Sequence, residues 1–295
     1  MPQQAECFLS VCMGVNMAQN DWSVFCSAGS EYIDKAHWAE SLCQTFGAKS
    51  YDISAESVTW LQIMATGLKW HFVVFLGALV LALLLGSLLG VIRTTPNKWW
   101  VRLGNAYVEL FRNIPLIIQL FFWARVFPEF LPGSISVDNG SVVQGAAYKQ
   151  LVNTMPWMIG ILGIGLYHAA RISEQVRAGI QAIPTGQWNA GFALGMSRPQ
   201  VYWHTILPVS FRTIWPTLTS EVMNLFKNTS VAFAIGVFNF YFYTKSMNEE
   251  TSQDLVIMIV TTFVYLLLTY SIKAIMAGFE HRLRIPGVSV GGKSS

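Results

Sequence analysis

The chain has 295 residues, of which 53% are apolar and 12% charged, with a formal net charge of +3 and a mean hydropathy of +0.43. An average soluble domain carries about 25% charged residues. This composition excludes a disordered tail, a fibrous repeat and an ordinary soluble enzyme. The small, scattered net charge gives no reason to expect nucleic-acid binding. The sequence therefore predicts a protein surrounded mostly by lipid, with roughly four to seven spanning helices of about 20 residues each.

Three long uncharged segments predict membrane-spanning helices. Residues 70–92, 150–170 and 255–272 contain no Asp, Glu, Lys or Arg over 23, 21 and 18 residues, respectively. The first segment would form a helix roughly 34 Å long, which is enough to cross a hydrocarbon core of about 30 Å. Gly86 and Gly90 in this segment predict close packing against another helix.

Two further apolar segments carry charged residues at or near their edges. One has Glu109 and Arg112 in its first part, and the other is interrupted by Glu221 and Lys227. Counting both, we expect an all-α membrane protein with five transmembrane helices. The predicted spans lie at about 68–92, 103–127, 150–171, 211–241 and 254–277.

The distribution of basic residues predicts the topology. Five spans place the termini on opposite sides of the membrane. The connections after the first and third spans and the tail after the fifth carry 12 Lys and Arg residues in total. The connections after the second and fourth spans carry 3. The positive-inside rule then puts the C-terminus in the cytoplasm and the N-terminus outside. Residues 1–69 agree, because their seven acids and three lysines give a net charge of −4.

All four cysteines precede the first span: Cys7, Cys12, Cys26 and Cys43. In an oxidising compartment they allow three disulfide pairings, and free thiols are the alternative. The chain does not open with the basic and apolar regions of a cleaved signal peptide. We therefore expect the first span to act as an uncleaved insertion signal.

The connection between the third and fourth spans, residues 171–212, is long for a membrane bundle, and long loops are commonly functional. Residues 184–186 (Pro-Thr-Gly) predict a turn, followed by a short helix over 187–196. Ser197 is suited to N-cap a second helix over 199–206, which Leu207 and Pro208 would end. Two short helices outside the membrane suggest a docking surface for another subunit, and an amphipathic loop lying on lipid is the alternative.

Residues 186–197 (GQWNAGFALGMS), followed by Ile206, Leu207 and Pro208, resemble the EAA loop of ABC-transporter permeases. Gly195 and the Leu-Pro pair occupy the family positions. Asn189 and Gly191 stand where the family pattern has Glu and the second Ala. An asparagine at this position is similar to the glutamate/aspartate branch of the family.

Three other segments resemble signatures of polar amino-acid permeases in the same order along the chain: residues 107–122, 174–184 and 220–230. The resemblance covers 57–287 as one permease transmembrane domain with a MetI-like fold. It leaves 1–56 as a periplasmic N-terminal extension and 288–295 as a cytoplasmic tail. Residues 17–22 resemble a usual opening of the family, so the true start is either Met1 or Met17.

The resemblance implies a permease subunit of an ATP-driven importer in the bacterial inner membrane. Its substrate would be a polar amino acid, with glutamate or aspartate favoured. The implied partners are a dimer of cytoplasmic ATP-binding subunits, a second permease subunit (identical or different), a periplasmic solute-binding protein and membrane lipid. The EAA loop, at about 184–208, would couple to the ATPase through Gln187, Asn189, Ala190, Gly191, Gly195, Leu207 and Pro208. Phe192 and Leu194 are candidate apolar anchors.

Ionisable residues within a span are costly and commonly line a transport pathway. Lys227 could attract a substrate carboxylate, with Glu221, Asn228, Thr229 and Ser230 as further pathway candidates. Alternatively, Lys227 pairs with Glu221 or with a backbone carbonyl as a purely structural element. A self-powered secondary carrier is the alternative function, but it predicts an internal inverted repeat, and the sequence has none.

Residues 287–294 (GVSVGGKS) match the P-loop pattern, but Pro286 precedes them and the chain ends at Ser295. A P-loop needs a preceding strand and a following helix, so we expect a flexible tail there. The five histidines lack metal-ligand spacing, and no nucleophile is paired with a base. We expect no catalytic residue, metal or cofactor in this subunit.

Overall fold

The computed structural model describes residues 60–130 and 155–283, together with the backbone of four short strands. β1 (Ala28–Gly29) pairs antiparallel with β2 (Val58–Thr59), and β3 (Ser136–Asp138) pairs antiparallel with β4 (Ser141–Val143). The rest of the described chain is mostly helical, as predicted. The four cysteines, both candidate starts and the P-loop-like tail lie outside the described residues.

The α-helices, numbered along the chain, are α1 (Trp60–Ile92), α2 (Lys98–Asn113), α3 (Leu116–Phe121), α4 (Pro156–Gln181), α5 (Thr185–Ala193), α6 (Arg198–Val201), α7 (Leu207–Asn228), α8 (Phe240–Thr251) and α9 (Asp254–Leu283). Phe122–Val126 and Tyr202–Ile206 form π-helical turns, and Phe127–Phe130 and Thr229–Ile235 form 3-10 turns. Among the described residues, α1 and α9 are long and apolar enough to cross a membrane.

The chain divides into two compact units, the larger made of residues 67–242 and 265–295. Its core is built around α4, which presents buried side chains along most of its length. Residues on α1 and α7 pack against it, with Val74, Ile164, Leu225 and Phe226 fully buried.

Gly86 and Gly90 lie directly against α4, as the sequence predicts. A Cβ on Gly86 would lie 2.8 Å from the carbonyl oxygen of Ala169, and one on Gly90 would lie 2.6 Å from Val176 Cβ. These separations are shorter than ordinary van der Waals contact. Glycine therefore allows α1 and α4 to approach more closely than any larger residue would.

The smaller unit contains residues 1–66 and 243–264. Within it, Lys245 Nζ lies 2.7 Å from Glu249 Oε1, one helical turn further along α8. The side-chain amide of Asn248 donates a hydrogen bond to Asp254 Oδ1 at the start of α9. Ser252, in the turn between the two helices, has a φ of 55°.

The segment over 103–127, predicted as the second span, contains a helix break. Ile114 and Pro115 have extended backbone, with ψ of 128° and 139°. The proline ring disfavours a helical conformation in the residue before it, so α2 ends at Asn113. The buried side-chain amide of Gln119 donates to the carbonyl oxygens of Phe111 and Ile114, at 2.7 and 2.8 Å. These bonds satisfy two backbone groups that the break leaves without helical partners.

Candidate functional site

The first short helix of the candidate coupling loop is α5. The sequence predicts it over 187–196, but it begins two residues earlier, at Thr185, and ends three residues earlier, at Ala193. The amides of Gly195 and Met196 donate to the carbonyl oxygens of Phe192 and Gly191, at 2.9 and 3.1 Å. With Gly195 at a φ of +78°, this is a Schellman motif. Gly195 therefore terminates α5 and lies beyond its last helical residue.

The second part of the loop is longer than the sequence predicts. Ser197 is the N-cap of α6, as expected, and its amide donates to Gln200 Oε1 at 2.8 Å. The prediction that Leu207 and Pro208 end the helix is wrong. A π-helical turn follows α6, and the amide of Leu207 bonds the carbonyl of Tyr202 before α7 continues. Pro208 then lies in the first turn of α7, where a missing N–H is tolerated.

The two parts of the loop pack tightly against each other. Gly191 is buried, and a Cβ there would lie 2.7 Å from Val201 Cγ2. The rings of Trp188 and Tyr202 meet edge to face at 4.9 Å. The hydroxyl of Tyr202 donates to the carbonyl oxygen of Thr94, beyond the end of α1, at 3.0 Å. The loop is thus a compact helix pair held against α1.

Most of the predicted coupling residues lie on the surface. Gly191 faces the interior of the loop and Leu207 is half-buried. The exposed members are Gln187, Asn189, Ala190, Gly195 and Pro208, and the apolar side chains of Phe192 and Leu194 are exposed beside them. The loop therefore presents a mixed polar and apolar surface to a partner.

Glu221, a predicted pathway residue, is the centre of a buried polar network. Its Oε1 lies 2.7 Å from His168 Nδ1 and 2.7 Å from Arg171 Nε, both on α4. The proposed structural alternative, a Lys227–Glu221 ion pair, is therefore not formed. Lys227 is exposed and forms no ion pair within residues 60–130 and 155–283.

Asn228 extends the same network, because its side-chain amide donates to His168 Nε2 at 3.1 Å. With Nε2 accepting, the proton on Nδ1 is the one that His168 donates to Glu221. Thr229 and Ser230 use their hydroxyls locally, on the carbonyl oxygens of Leu225 and Lys227. The structure thus brings together Glu221 and Asn228 but gives Thr229 and Ser230 separate partners.

Two of the network residues, His168 and Arg171, were not selected from the sequence. Arg171 served only as a topology marker, and His168 was assessed only as a metal ligand. Their separation of three residues at the end of an uncharged run places them on one helix face. Together with Glu221 in another span, this spacing is a signal for a buried interhelical network.

A second polar network surrounds Glu174. Its Oε2 lies 2.7 Å from Arg93 Nη2, and its Oε1 lies 3.3 Å from Arg177 Nη2. Arg93 is buried and also donates to Asn105 Oδ1 at 2.8 Å and Ser173 Oγ at 3.3 Å. Burial raises the pKa of Glu174, but the hydrogen bond and charge of Arg93, together with those of Arg177, outweigh it and hold the pKa below 4.5.

This second network borders a cavity of about 340 Å³, lined by Arg93, Asn105, Val108, Glu109, Arg112, Asn113, Glu174 and Arg177. The residues come from α2, α4 and the end of α1. Several belong to the signature segments that carry the family resemblance, although no individual role could be predicted for them from the sequence. Glu174 on α4 therefore binds Arg93, directly after α1, and lies near α2, because Arg112 Nη1 is 3.9 Å from Glu174 Oε2.

The described residues contain no group of three or more His, Cys, Asp or Glu side chains arranged to hold a metal ion. The ionisable side chains of both networks are instead paired with one another across helices.

A family model described as "Binding-protein-dependent transport system inner membrane component" matches residues 78–285. The chain is 37% identical over 239 residues to the glutamate/aspartate import permease protein GltJ of Escherichia coli K12, covering 80% of this chain and 93% of GltJ.

Two solved structures share the fold. One is an amino acid ABC transporter with histidines, with a TM-score of 0.63 and 21% identity over 76% of this chain and 95% of that one. The other is the methionine ABC transporter MetNI in inward-facing conformations, with a TM-score of 0.56 and 19% identity over 77% of this chain and 96% of that one. The predicted all-helical, MetI-like permease fold is thereby confirmed.

Proposed function

The chain belongs to the family of inner-membrane components of binding-protein-dependent transport systems, and we propose that it is the permease subunit of an ATP-driven importer for glutamate or aspartate. The observation that carries the substrate class is the 37% identity to GltJ across nearly all of that protein. Asn189 in the loop, which is similar to the glutamate/aspartate branch, points the same way.

The energy for transport would come from separate ATP-binding subunits, and this subunit would be non-catalytic. A dimer of those subunits would dock on the loop at 184–208. The compact packing of the loop supports this role, because a rigid helix pair can transmit a displacement without deforming. The exposed Phe192 and Leu194 offer apolar contacts for a cleft in the ATPase.

Five spans with a periplasmic N-terminus and a cytoplasmic C-terminus remain our proposal for the topology. The 12-to-3 distribution of basic residues supports this orientation. It places the loop on the side where ATP is present. A second permease subunit, identical or different, would complete the pathway, and a periplasmic solute-binding protein would deliver the amino acid.

Lys227 is the proposed contact for a substrate carboxylate, with Glu221, Asn228, Thr229 and Ser230 forming its surroundings. An exposed cation on a segment bounded by apolar runs is costly in lipid and is typical of a water-filled pathway. Glu221 and Asn228 support this region through His168, while Thr229 and Ser230 stabilise the end of α7.

The test is affinity purification of the tagged chain in mild detergent, combined with glutamate and aspartate uptake in cells. The variant Leu194→Asp should insert normally, lose the co-purifying ATPase and lose uptake, whereas Thr185→Ser, at the start of the same helix, should retain all three. Uptake that needs no ATP and no partner would instead identify a self-powered carrier. ATP-dependent uptake of another amino acid would contradict only the substrate assignment.

A further inference from the structure

Helix α2 presents three chemically different faces. Gly104 and Val108 are buried against the protein, and a Cβ on Gly104 would lie 2.6 Å from Arg93 Cγ. Asn105, Glu109 and Arg112 line the polar cavity described above. The third face, which we name the tryptophan face, consists of Trp99, Trp100, Leu103 and Leu110. No interaction proposed so far accounts for this third face.

The tryptophan face is unusually exposed for its composition. Its four side chains are 72%, 56%, 62% and 57% exposed, respectively. At 100° per residue they fall within an arc of roughly 100° on the helix. Large apolar groups gathered on one side of a helix mark a contact with another molecule or with a membrane.

The charges around this face favour a lipid surface with anionic headgroups. Lys98 is exposed at the helix start, and the Arg102 guanidinium lies 5.5 Å from the centre of the Trp99 ring. The single acid of α2, Glu109, lines the cavity. Lys98 and Arg102 project from the same side of the helix, at the edge of the tryptophan face, and the Arg102 side chain reaches across to the Trp99 ring. Tryptophan flanked by Lys and Arg is typical of the membrane–water boundary, where the rings and the cations occupy the headgroup region.

The position of α2 agrees with this environment. Only residues 93–97 separate it from α1, and the amides of Thr94 and Thr95 bond the carbonyls of Val91 and Ile92 in a tight turn, at 3.0 and 3.1 Å. Because the uncharged run of α1 ends at Ile92 and Arg93 follows it, this end of α1 marks the boundary of the hydrocarbon core. Near this end, α1 also carries the exposed apolar side chains Leu84 and Leu88.

We propose that the tryptophan face is an interfacial anchor that binds anionic phospholipid in the leaflet where α1 ends. Trp99, Leu103 and Leu110 insert among the upper acyl segments, so the second span would begin at the break at Ile114 and Pro115 and not at about 103. Lys98 and Arg102 contact headgroup phosphates. The opposite side of α2 meanwhile borders the polar cavity, so one helix separates lipid from a polar interior.

The test uses the full chain with Cys7, Cys12, Cys26 and Cys43 replaced by Ser. A single cysteine is then introduced as Leu103→Cys or, as the control, as Glu109→Cys, and is labelled with an environment-sensitive fluorophore. Each labelled protein is placed in phosphatidylcholine bilayers with or without phosphatidylglycerol. We expect a nitroxide placed near the lipid headgroups to quench the label at 103 several-fold more than the label at 109, and aqueous iodide to show the reverse order. Equal iodide quenching at the two positions would overturn the proposal.

A second variant tests the contribution of the two basic residues, Lys98 and Arg102. We expect phosphatidylglycerol to increase the nitroxide quenching of the label at 103. Replacing Lys98 and Arg102 together by Gln should reduce this increase, whereas Arg198→Gln on the coupling loop should leave it unchanged. Quenching at 103 that does not depend on phosphatidylglycerol would contradict the preference for anionic lipid. A label at 103 that is protected from both quenchers only when a second permease is present would identify a protein interface and overturn the lipid assignment.

Discussion

Gly191 and Val201 are in such close contact that no side chain can be added to the glycine without displacing the valine. The missing Cβ of Gly191 would lie 2.7 Å from Val201 Cγ2 and 3.1 Å from Val201 Cγ1. The contact joins α5 to α6, the two halves of the candidate coupling loop. The small residue is therefore needed inside the loop, where the sequence had suggested a surface for approaching the ATPase.

We expect Gly191→Val to separate α5 from α6, because overpacking a close contact costs about 1–3 kcal/mol. The loop should become more sensitive to limited proteolysis in detergent, and the ATPase should co-purify poorly. The control is Gly186→Val, at an exposed position where a Cβ meets nothing within 4 Å. Equal protease sensitivity in the two variants would show that the Gly191 contact does not hold the loop together.

Gly195 tests a different requirement, namely backbone conformation. A Cβ on Gly195 would meet nothing within 4 Å, but its φ is +78°. This left-handed conformation costs a residue with a Cβ roughly 1–2 kcal/mol, and among such residues Asn tolerates it best. We expect Gly195→Val to speed amide exchange at Met196, whose N–H closes the Schellman motif, and to weaken ATPase binding. Gly195→Asn should retain both properties. If the two variants behave alike, side-chain volume and not φ governs this position.

The membrane character and the family signatures could be predicted because they depend on local sequence. The uncharged lengths of α1 and α9 and the cap at Ser197 need only neighbouring residues. The break at Ile114 and Pro115 was harder, because a proline near the start of an apolar run is equally compatible with a continuous helix. Only the side chain of Gln119, folded back on two carbonyls, shows how the break is stabilised.

The interhelical pairs could not be predicted, because they depend on which helix faces which. The sequence leaves open a pairing of Glu221 with Lys227, six residues away. The partners of Glu221 are instead on α4, 50 and 53 residues away in sequence. Sequence spacing limits contacts within one helix and says little about contacts between helices. The same reason explains why Arg93 and Glu174 were not paired from the sequence.

Glu174→Gln should destabilise the protein, because it leaves the buried Arg93 without its carboxylate. Removing one partner of a fully buried ion pair costs about 3–5 kcal/mol. Because the Glu174 side chain is 30% exposed and Arg93 keeps its bonds to Asn105 and Ser173, the loss should fall below this range. The measurement is thermal unfolding in detergent. Glu109→Gln, an exposed acid of the same cavity, should change the midpoint little. Similar losses in both variants would mean that net cavity charge matters and the specific pair does not.

The same pair predicts a pH dependence with a definite sign. The arginines hold the folded-state pKa of Glu174 below the ordinary value of 4.5, so its ionised form stabilises the fold above that value. This contribution disappears as pH falls through the lower, folded-state pKa. The difference in unfolding midpoint between the unmodified chain and Glu174→Gln should therefore stay constant from neutral pH down to about 4.5 and narrow below it. A difference that shrinks already near neutral pH would be inconsistent with a lowered pKa.

His168 connects Glu221 on one ring nitrogen with Asn228 on the other, and both partners belong to the proposed pathway segment. We expect His168→Leu to lower thermal stability in detergent, because each buried polar group left unpaired costs about 1–3 kcal/mol. His204→Leu supplies the matched control, since His204 is exposed on the coupling loop. His168→Gln, which keeps one donor and one acceptor, should recover part of the stability. If His168→Leu were as stable as His204→Leu, Arg171 alone would suffice to hold Glu221, and Asn228 would not depend on the histidine.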